Sequence, residues 1–157
     1  MLFSTKAEYG VRLMVELGRQ RGTGPVSLNA VAEAENLPLS YLEHLVAKLR
    51  KAGLVTSTRG AHGGYSLAQP AEEITMVEVV EALEGQIAPM DCFHETPAGK
   101  VQCSHIDDAD QACATKLLWT RVQGGVNRAL AGTTLAELVE FSRRPVEERK
   151  PAVGSAA

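Results

Sequence analysis

The chain has few aromatic residues and no long hydrophobic run. Aromatics make up 4% of its 157 residues, so Leu, Val and Ala must supply most of the core. No apolar stretch approaches the roughly 18 residues that a membrane-spanning helix needs. The N-terminal stretch MLFSTKAEYG also lacks the basic-then-apolar order of a signal peptide. We therefore expect a cytoplasmic protein that makes no membrane contact.

Motifs of catalysis are absent as well. The sequence contains no Cys-x-x-Cys pair, no phosphate-binding glycine loop and no nucleophile motif. We predict that the chain is not an enzyme and has no small-molecule substrate. Turnover of a disulfide substrate that depends on Cys92 or Cys113 would instead indicate a thiol oxidoreductase.

Charge is distributed unevenly along the chain. The formal net charge is −3, yet residues 1–70 carry eight Lys and Arg against five Glu, whereas residues 71–157 carry eight against fourteen acidic residues. A basic stretch beside an acidic remainder predicts that any DNA contact is made by residues 1–70.

Capping motifs and hydrophobic spacing predict a mainly α-helical chain. Four stretches have the Ser/Thr-x-x-Glu pattern of a capping box: Thr5–Glu8, Ser40–Glu43, Thr75–Glu78 and Thr134–Glu137. Apolar residues at helical spacing then predict six helices, which run from Thr5 to near Gly22, from Ser27 or Leu28 to Glu35, from Ser40 to about Ala52, from Thr75 to just before Gly85, from about Ala112 to Ala131, and from Thr134 to about Phe141.

Two short strands follow the third helix. Val55–Thr58 and Tyr65–Leu67 have strand composition, and the loop between them contains Gly60, Gly63 and Gly64, which allow positive φ and close backbone approach. Three helices followed by a hairpin is the order of a winged helix-turn-helix. We therefore predict a winged helix-turn-helix domain over residues 1–85, with a small β-hairpin as its wing.

The third helix and the hairpin tip carry the candidate DNA contacts. Six side chains on these two elements are polar or basic: Ser40, Tyr41, His44, Lys48, Arg59 and His62. The helix residues would face bases or phosphates in the major groove, and the hairpin pair would enter the minor groove. Glu43 could cap the helix, repel phosphates or accept a hydrogen bond from cytosine. A winged helix that binds protein instead of DNA is the alternative.

All three cysteines lie in the stretch DCFHETPAGKVQCSHIDDADQACATKLLW, which begins at Asp91. An odd number of thiols in a cytoplasmic protein favours metal ligands or redox-active groups over disulfides. Cys92 with His94 and Cys103 with His105 form a repeated Cys-x-His pattern that could bind zinc tetrahedrally. Ordinary thiols on a loop are the metal-free alternative. We predict a cysteine-bearing loop over residues 86–111.

Several motifs together resemble a known family. They are STKAEYGVRLMVELG, LPLSYLEHLVAKLRKAGLVTSTRGAHGGYSLAQP, EITMVEVVEALEG, CATKLLWTRV and TTLAELVEF, which cover about residues 1–141. The chain resembles the iron–sulfur and nitric-oxide responsive winged-helix repressors that include IscR, NsrR, RirA and RsrR. The resemblance implies a homodimer, formed through the long helix near 112–131, that binds a two-fold symmetric DNA operator. The final helix would complete residues 112–142, and we expect residues 143–157 to be a disordered tail.

The same resemblance implies a set of cluster ligands. Cys92 and Cys113 occupy the positions of the family's outer cysteines and Cys103 is the third, although ten and nine residues separate them here against about five and five in the closest sensors. Lys116 replaces the His of IscR-like members. Glu8 matches the first-helix carboxylate of NsrR-like and RsrR-like members, and a capping box with Thr5 is the alternative role for it.

These implications favour a repressor that senses redox state, nitric oxide or iron through a 2Fe–2S or 4Fe–4S cluster. Thiolates suit such clusters because soft sulfur stabilises iron in both redox states. The alternative is a zinc-stabilised winged-helix regulator without cluster sensing, in which His94 and His105 are ligands.

Overall fold

The computed structural model describes residues 3–87, the backbone of residues 93–95 and 101–103, and residues 114–145. Within these ranges the chain forms six helices and four strands. In chain order they are α1 (Thr5–Arg19), α2 (Leu28–Glu35), α3 (Leu39–Lys51), β1 (Val55–Thr58), β2 (Gly64–Leu67), α4 (Met76–Glu84), β3 (Phe93–Glu95), β4 (Val101–Cys103), α5 (Ala114–Ala131) and α6 (Leu135–Arg143). The mainly helical winged-helix prediction is confirmed. None of the described helices is long and apolar enough to cross a membrane.

Helix α1 begins one residue away from its predicted cap. Ser4, in an extended conformation, is the N-cap, and its hydroxyl accepts a hydrogen bond from the backbone N–H of Lys6. Thr5 is therefore the first helical residue, and Glu8 lies one position beyond the place where a capping-box carboxylate reaches back. The predicted Thr5–Glu8 box is wrong. The helix also ends at Arg19, before the glycine-containing loop that was expected to end it near Gly22.

Helix α3 also begins earlier than predicted. Pro38 is its N-cap, with the backbone N–H groups of Tyr41 and Leu42 donating to the Pro38 carbonyl. The predicted Ser40 box is wrong because the fixed φ of Pro38 already directs the chain into the helix at Leu39. By contrast, the capping box that begins α4 at Thr75 is confirmed.

The core is built from aliphatic side chains, as the scarcity of aromatic residues predicts. Among the described residues, the largest side chains with under 2% of their surface exposed are Leu13, Met14, Leu42, Leu45, Leu49, Ile74, Leu83 and Leu135. They come from four helices, α1, α3, α4 and α6, and from the residue before the α4 cap. This core fixes α3 against α1 and α4 and leaves its polar side exposed.

The wing is an antiparallel hairpin in which Val55 pairs with Leu67 and Thr58 with Gly64. A backbone bridge between Val26 and Tyr65 joins the hairpin to the segment before α2. A Cβ atom on residue 64 would lie 2.5 Å from the carbonyl oxygen of Val26, so only glycine permits this approach. The predicted need for close backbone contact in the wing is confirmed at this position.

A second hairpin lies in the stretch that was predicted as a loop. Strands β3 and β4 pair antiparallel, with Phe93 opposite Cys103 and His94 opposite Gln102. Each strand has three residues, and the stretch between them contains Pro97 and Gly99, so the sequence carries only a weak local strand signal. The loop prediction was incomplete at these six residues.

Candidate DNA interface and the surroundings of the cysteine segment

The first turn of α3 and the wing tip form the candidate DNA interface. Ser40 and His44 are exposed on α3, and Arg59 and His62 are exposed between the wing strands. No side chain caps the N-terminus of α3, so its first N–H groups and the positive end of the helix dipole are available to an anion. Among the described residues, both elements that were predicted to contact DNA present accessible polar groups.

Two of the predicted DNA contacts have intramolecular partners. The ring of Tyr41 is half-buried and meets Tyr9 edge to face, with ring centroids 5.6 Å apart and planes at 84°. The ammonium of Lys48 donates a hydrogen bond to the carbonyl oxygen of Leu83 at 2.8 Å. A DNA contact by Tyr41 or Lys48 therefore remains a prediction, and it would have to coexist with the Tyr9 ring contact or the Leu83 hydrogen bond.

Leu39 is a candidate that the sequence reasoning missed. It is the first residue of α3, and 37% of its surface is exposed. Apolar side chains in this place can contact the methyl group of thymine in the major groove. The predicted helix start at Ser40 placed Leu39 outside the helix, so no signal of spacing identified it.

Ion pairs hold α2 against α1. Arg12 donates to the Glu35 carboxylate at 2.8 Å and to the Glu35 carbonyl at 2.6 Å, and the Arg19 guanidinium lies 3.9 Å from the same carboxylate. The Arg12 bonds reach the C-terminal end of α2, where a cation is favourable. Arg12 therefore connects α1 to α2.

The first turn of α1 packs beside the entry to the cysteine segment. Ile87 is 6% exposed and packs with Ala7 and Val80, and its carbonyl accepts a hydrogen bond from the Gln123 side chain at 3.0 Å. Since Gln123 belongs to α5, which follows the segment, α5 and the entry to the segment both contact this part of the molecule. The segment itself, residues 88–113, is described only at the β3 and β4 backbones.

A bond between α1 and α4 strengthens this junction. The hydroxyl of Ser4 donates a short hydrogen bond to the Glu84 carboxylate, and its backbone N–H donates to the same oxygen at 3.0 Å. Partial burial opposes ionisation of Glu84, but the Ser4 bonds outweigh it and hold the pKa of this carboxyl below its usual value. The end of α4 is thereby fixed to the start of α1.

Glu8 is exposed on the first turn of α1, and its side chain has no hydrogen-bond or ion-pair partner among the described residues. Beside it is a cavity of about 460 Å³, whose apolar lining comes from Phe3, Ala7, Val11, Val80 and Leu130. A carboxylate whose oxygens have no partner can ligate a metal centre beside such an apolar hollow. Glu8 has no role in the cap of α1 that would account for its position.

The other predicted ligands are placed only in part. Cys92, Cys113 and His105 lie outside the described residues, and for Cys103 and His94 the structure describes the backbone alone. The described side chains contain no group of three His, Cys, Asp or Glu that could hold a metal ion. The predicted sets, cysteines with Glu8 or cysteines with histidines, therefore remain predictions.

Helix α5 is incompletely buried in a single chain. Leu117 and Leu118 are 60% and 55% exposed, although both are large apolar side chains. The side-chain oxygens of Gln123 and Asn127 are buried and have no hydrogen-bond partner in the part of the chain that the structure describes. Buried polar groups normally have partners, so this helix has unmet packing and hydrogen-bonding needs.

A winged helix with an exposed α3 and a basic wing defines a DNA-binding transcriptional regulator. The family model described as Rrf2, iron-dependent transcriptional regulator, matches residues 3–141, and the chain belongs to this family. The transcriptional regulator CymR of Bacillus subtilis is 38% identical over 142 residues, which cover 90% of this chain and 92% of CymR. The matched relatives are regulators and not enzymes.

Solved structures agree with the family assignment. The structure of CymR from B. subtilis, described as the global cysteine regulator, matches with a TM-score of 0.74 over 90% of this chain and 98% of that one, at 38% identity. The structure of IscR from T. potens matches with a TM-score of 0.72 over 91% of this chain and 89% of that one, at 36% identity. The winged-helix architecture of this chain is therefore shared with both CymR and IscR.

Proposed function

We propose that the chain is a homodimeric repressor whose binding to a two-fold DNA operator is controlled by an iron–sulfur cluster. The proposed ligands are Cys92, Cys103, Cys113 and Glu8. The single observation that carries this proposal is the Glu8 carboxylate, which has no partner among the described residues and lies beside an apolar hollow. Two residues that line this hollow, Ala7 and Val80, pack with Ile87, the last described residue before the cysteine segment. The iron-dependent family description and the similarity to IscR support it further.

The proposed ligands differ in how firmly they would hold the iron of such a cluster. When bound, the cluster supplies a group that responds to oxidants, nitric oxide or iron supply. Three thiolates from one segment would retain iron, whereas a carboxylate is a harder, weaker ligand for it and exchanges more readily. Glu8 is held near the segment by the Ser4–Glu84 bonds and by the packing of Ala7 on Ile87. A change at Glu8 would act directly on α1, which packs against α3.

Dimerisation through α5 is part of the proposal. Leu117 and Leu118 are more than half exposed in a single chain, and a second copy of the chain would cover them. In a two-fold dimer each α3 would enter a major groove, with the two half-sites about 34 Å apart. The dimer would act on DNA in the cytoplasm.

A zinc-stabilised regulator is the second candidate. It is favoured by the repeated Cys-x-His pattern of the sequence. The β3–β4 register pairs Cys103 with Phe93 and His94 with Gln102, so Cys103 and His94 lie on opposite faces of the hairpin, and zinc binding by both would need a change in this pairing. Zinc would then be held by Cys92, His94, Cys103 and His105, and DNA binding would not depend on redox state.

Metal content of anaerobically purified protein separates these candidates. We would measure iron, sulfide, zinc and the visible absorption spectrum for the wild type, for Glu8→Ala and for Glu33→Ala, an exposed carboxylate on α2, as the matched control. Iron with equal sulfide, and a spectrum altered only by Glu8→Ala, supports the proposal. Stoichiometric zinc without sulfide supports the second candidate, and metal-free protein contradicts both.

DNA binding is measured on the same samples. Fluorescence anisotropy with candidate operator fragments, at fixed salt, compares the cluster-loaded and stripped wild type. A difference in affinity of tenfold or more supports control by the cluster. Equal affinities for every operator would leave a DNA-binding regulator without cluster sensing.

A further inference from the structure

Lys48 lies on the recognition helix but bonds to another helix. Its ammonium donates to the carbonyl oxygen of Leu83 at 2.8 Å. Leu83 is the penultimate residue of α4, and the last four carbonyls of a helix have no partner inside it. A cation is favourable there because the helix dipole places negative charge at that end. Lys48 therefore acts as a side-chain cap on a neighbouring helix.

The end of α4 is where the chain turns toward the cysteine segment. The backbone N–H of Gly85 (φ +86°) donates to the Glu81 carbonyl and ends the helix, and the chain then reaches Ile87, the last described residue before the segment. We call residues 83–87 the α4 exit.

Three helices contact the α4 exit. The side chain of Leu83 is 1% exposed and covers Gly10 of α1 so closely that a Cβ on residue 10 would lie 2.0 Å from it. Gln123 of α5 donates to the Ile87 carbonyl, and Lys48 of α3 donates to the Leu83 carbonyl. Lys48 thus joins α3 to the α4 exit by a hydrogen bond.

We propose that Lys48 is a positioning residue that ties the recognition helix to the α4 exit, and that it does not contact phosphate. The inference rests on the proposed function, since it assigns to this bond the coupling between the state of the cysteine segment and the orientation of α3. It replaces the phosphate contact that the sequence predicts for Lys48. The ammonium is directed at a backbone carbonyl of its own chain, and its bond is set by the packing of α3 on α4.

The test compares Lys48→Met with Lys51→Met and Lys48→Arg. Methionine keeps most of the apolar stem and removes the charge. Lys51 is an exposed lysine on the same helix with no partner among the described residues, so its variant matches the loss of charge. Arginine restores a cationic donor at position 48. All variants are prepared as full chains, both cluster-loaded and stripped.

Three quantities are measured on each variant. Hydrogen exchange in DNA-free protein reports protection of the α4 exit. The slope of log affinity against log salt reports the number of phosphates contacted, with a loss of about one unit for each contact removed. The ratio of operator affinities between loaded and stripped protein reports the coupling.

The expected result is specific to Lys48→Met. Exchange at residues 85–87 accelerates about two- to five-fold, the salt slope equals that of the wild type, and the affinity ratio falls about two- to five-fold toward one, as expected from the usual strength of a cation at a helix C-terminus. Lys51→Met leaves exchange and ratio unchanged, and Lys48→Arg restores both.

Two results would overturn the inference. A salt slope smaller by about one, with unchanged exchange at residues 85–87, would make Lys48 a phosphate contact. An affinity ratio that survives intact in Lys48→Met would remove the coupling while leaving cluster control standing. If cluster-loaded and stripped wild type bind the operator with equal affinity, the proposed function fails and the coupling fails with it. The salt slope and the exchange rates would still decide whether Lys48 bonds to the Leu83 carbonyl or to a phosphate.

Discussion

Helices α3 and α5 are both amphipathic, yet only α3 completes its burial within one chain. The apolar residues Leu42, Leu45 and Leu49 of α3 are at most 2% exposed. On α5, by contrast, Leu117 and Leu118 remain more than half exposed. The same amphipathic pattern therefore corresponds to a helix whose apolar side is buried in the core for α3, and to a helix whose apolar side chains are still exposed for α5.

The polar sides of the two helices differ in the same sense. The exposed side of α3 carries groups such as His44 that need no protein partner, because water or DNA satisfies them. On α5 the side-chain oxygens of Gln123 and Asn127 are buried and have no partner among the described residues. These two oxygens are already buried within the chain, so a second chain would not reach them, and the exposed leucines of α5 are the groups that a binding partner would cover. This contrast is the physical basis of the proposed dimer.

The largest effect is expected from charging the exposed leucines. The double variant Leu117→Glu/Leu118→Glu should raise the dimer dissociation constant about 1,000-fold, since burial of four leucines in the pair contributes about 1 kcal/mol each. Light scattering coupled to gel filtration measures this change. Thr120→Glu, an exposed position elsewhere on α5, is the control and should leave the mass unchanged. A double variant with the mass of the wild type would contradict the role of α5.

Truncation of a leucine in each helix compares their burial directly. Leu45→Ala in α3 should lower the free energy of unfolding by about 2–5 kcal/mol at every protein concentration, because it leaves a cavity in the core. Leu118→Ala should change stability only at concentrations where the dimer forms. Urea titrations at two concentrations test both, and equal concentration-independent losses would remove the distinction between the helices.

Alanine in place of two helical glycines should have opposite effects. Gly10→Ala should destabilise the protein by about 1–2 kcal/mol, since its Cβ would overlap the packed Leu83 side chain. A Cβ on residue 125 meets nothing within 4 Å, so Gly125→Ala should stabilise α5 by up to about 1 kcal/mol. Thermal unfolding in the Leu117→Glu/Leu118→Glu background measures the effect without the dimer. A loss for Gly125→Ala there would show that α5 has another contact in the same chain.

The smallest effect concerns the cap of α4, a helix that, like α3, is completed within one chain. Hydrogen bonds from the hydroxyl and the backbone N–H of Thr75 hold the pKa of Glu78 below its usual value. The ionised carboxylate therefore stabilises the fold above the unfolded-state pKa, about 4.3, and this contribution is lost as pH falls through the lower folded-state pKa. Glu78→Gln should cost about 0.5–1 kcal/mol at pH 7 and progressively less below pH 4.

Urea midpoints from pH 3 to pH 7 measure this difference. Glu81→Gln, which removes an exposed carboxylate from the same helix, is the matched control. A loss for Glu78→Gln that is constant across this range would contradict an ionisation-dependent cap.

Local signals predicted much of the fold but placed some helix starts wrongly. Val55–Thr58 and the α4 cap follow from strand composition and from a Thr-x-x-Glu pattern, which act over a few residues. Ser4 and Thr5 are both good caps, and only the bond from Ser4 to Glu84 in α4 favours the first. The cysteine ligands were inferred from composition and resemblance, because metal geometry depends on residues far apart in the chain.

The sequence by itself determined the helices, the wing and the aliphatic core, since periodicity, glycines and caps act locally. Tertiary structure alone decided that Lys48 points at the Leu83 carbonyl and that Tyr41 packs on Tyr9. It also decided that Leu130 packs against the core while Leu117 stays exposed on the same helix. Each of these outcomes depends on how helices distant in sequence are oriented, and local preferences do not encode that orientation.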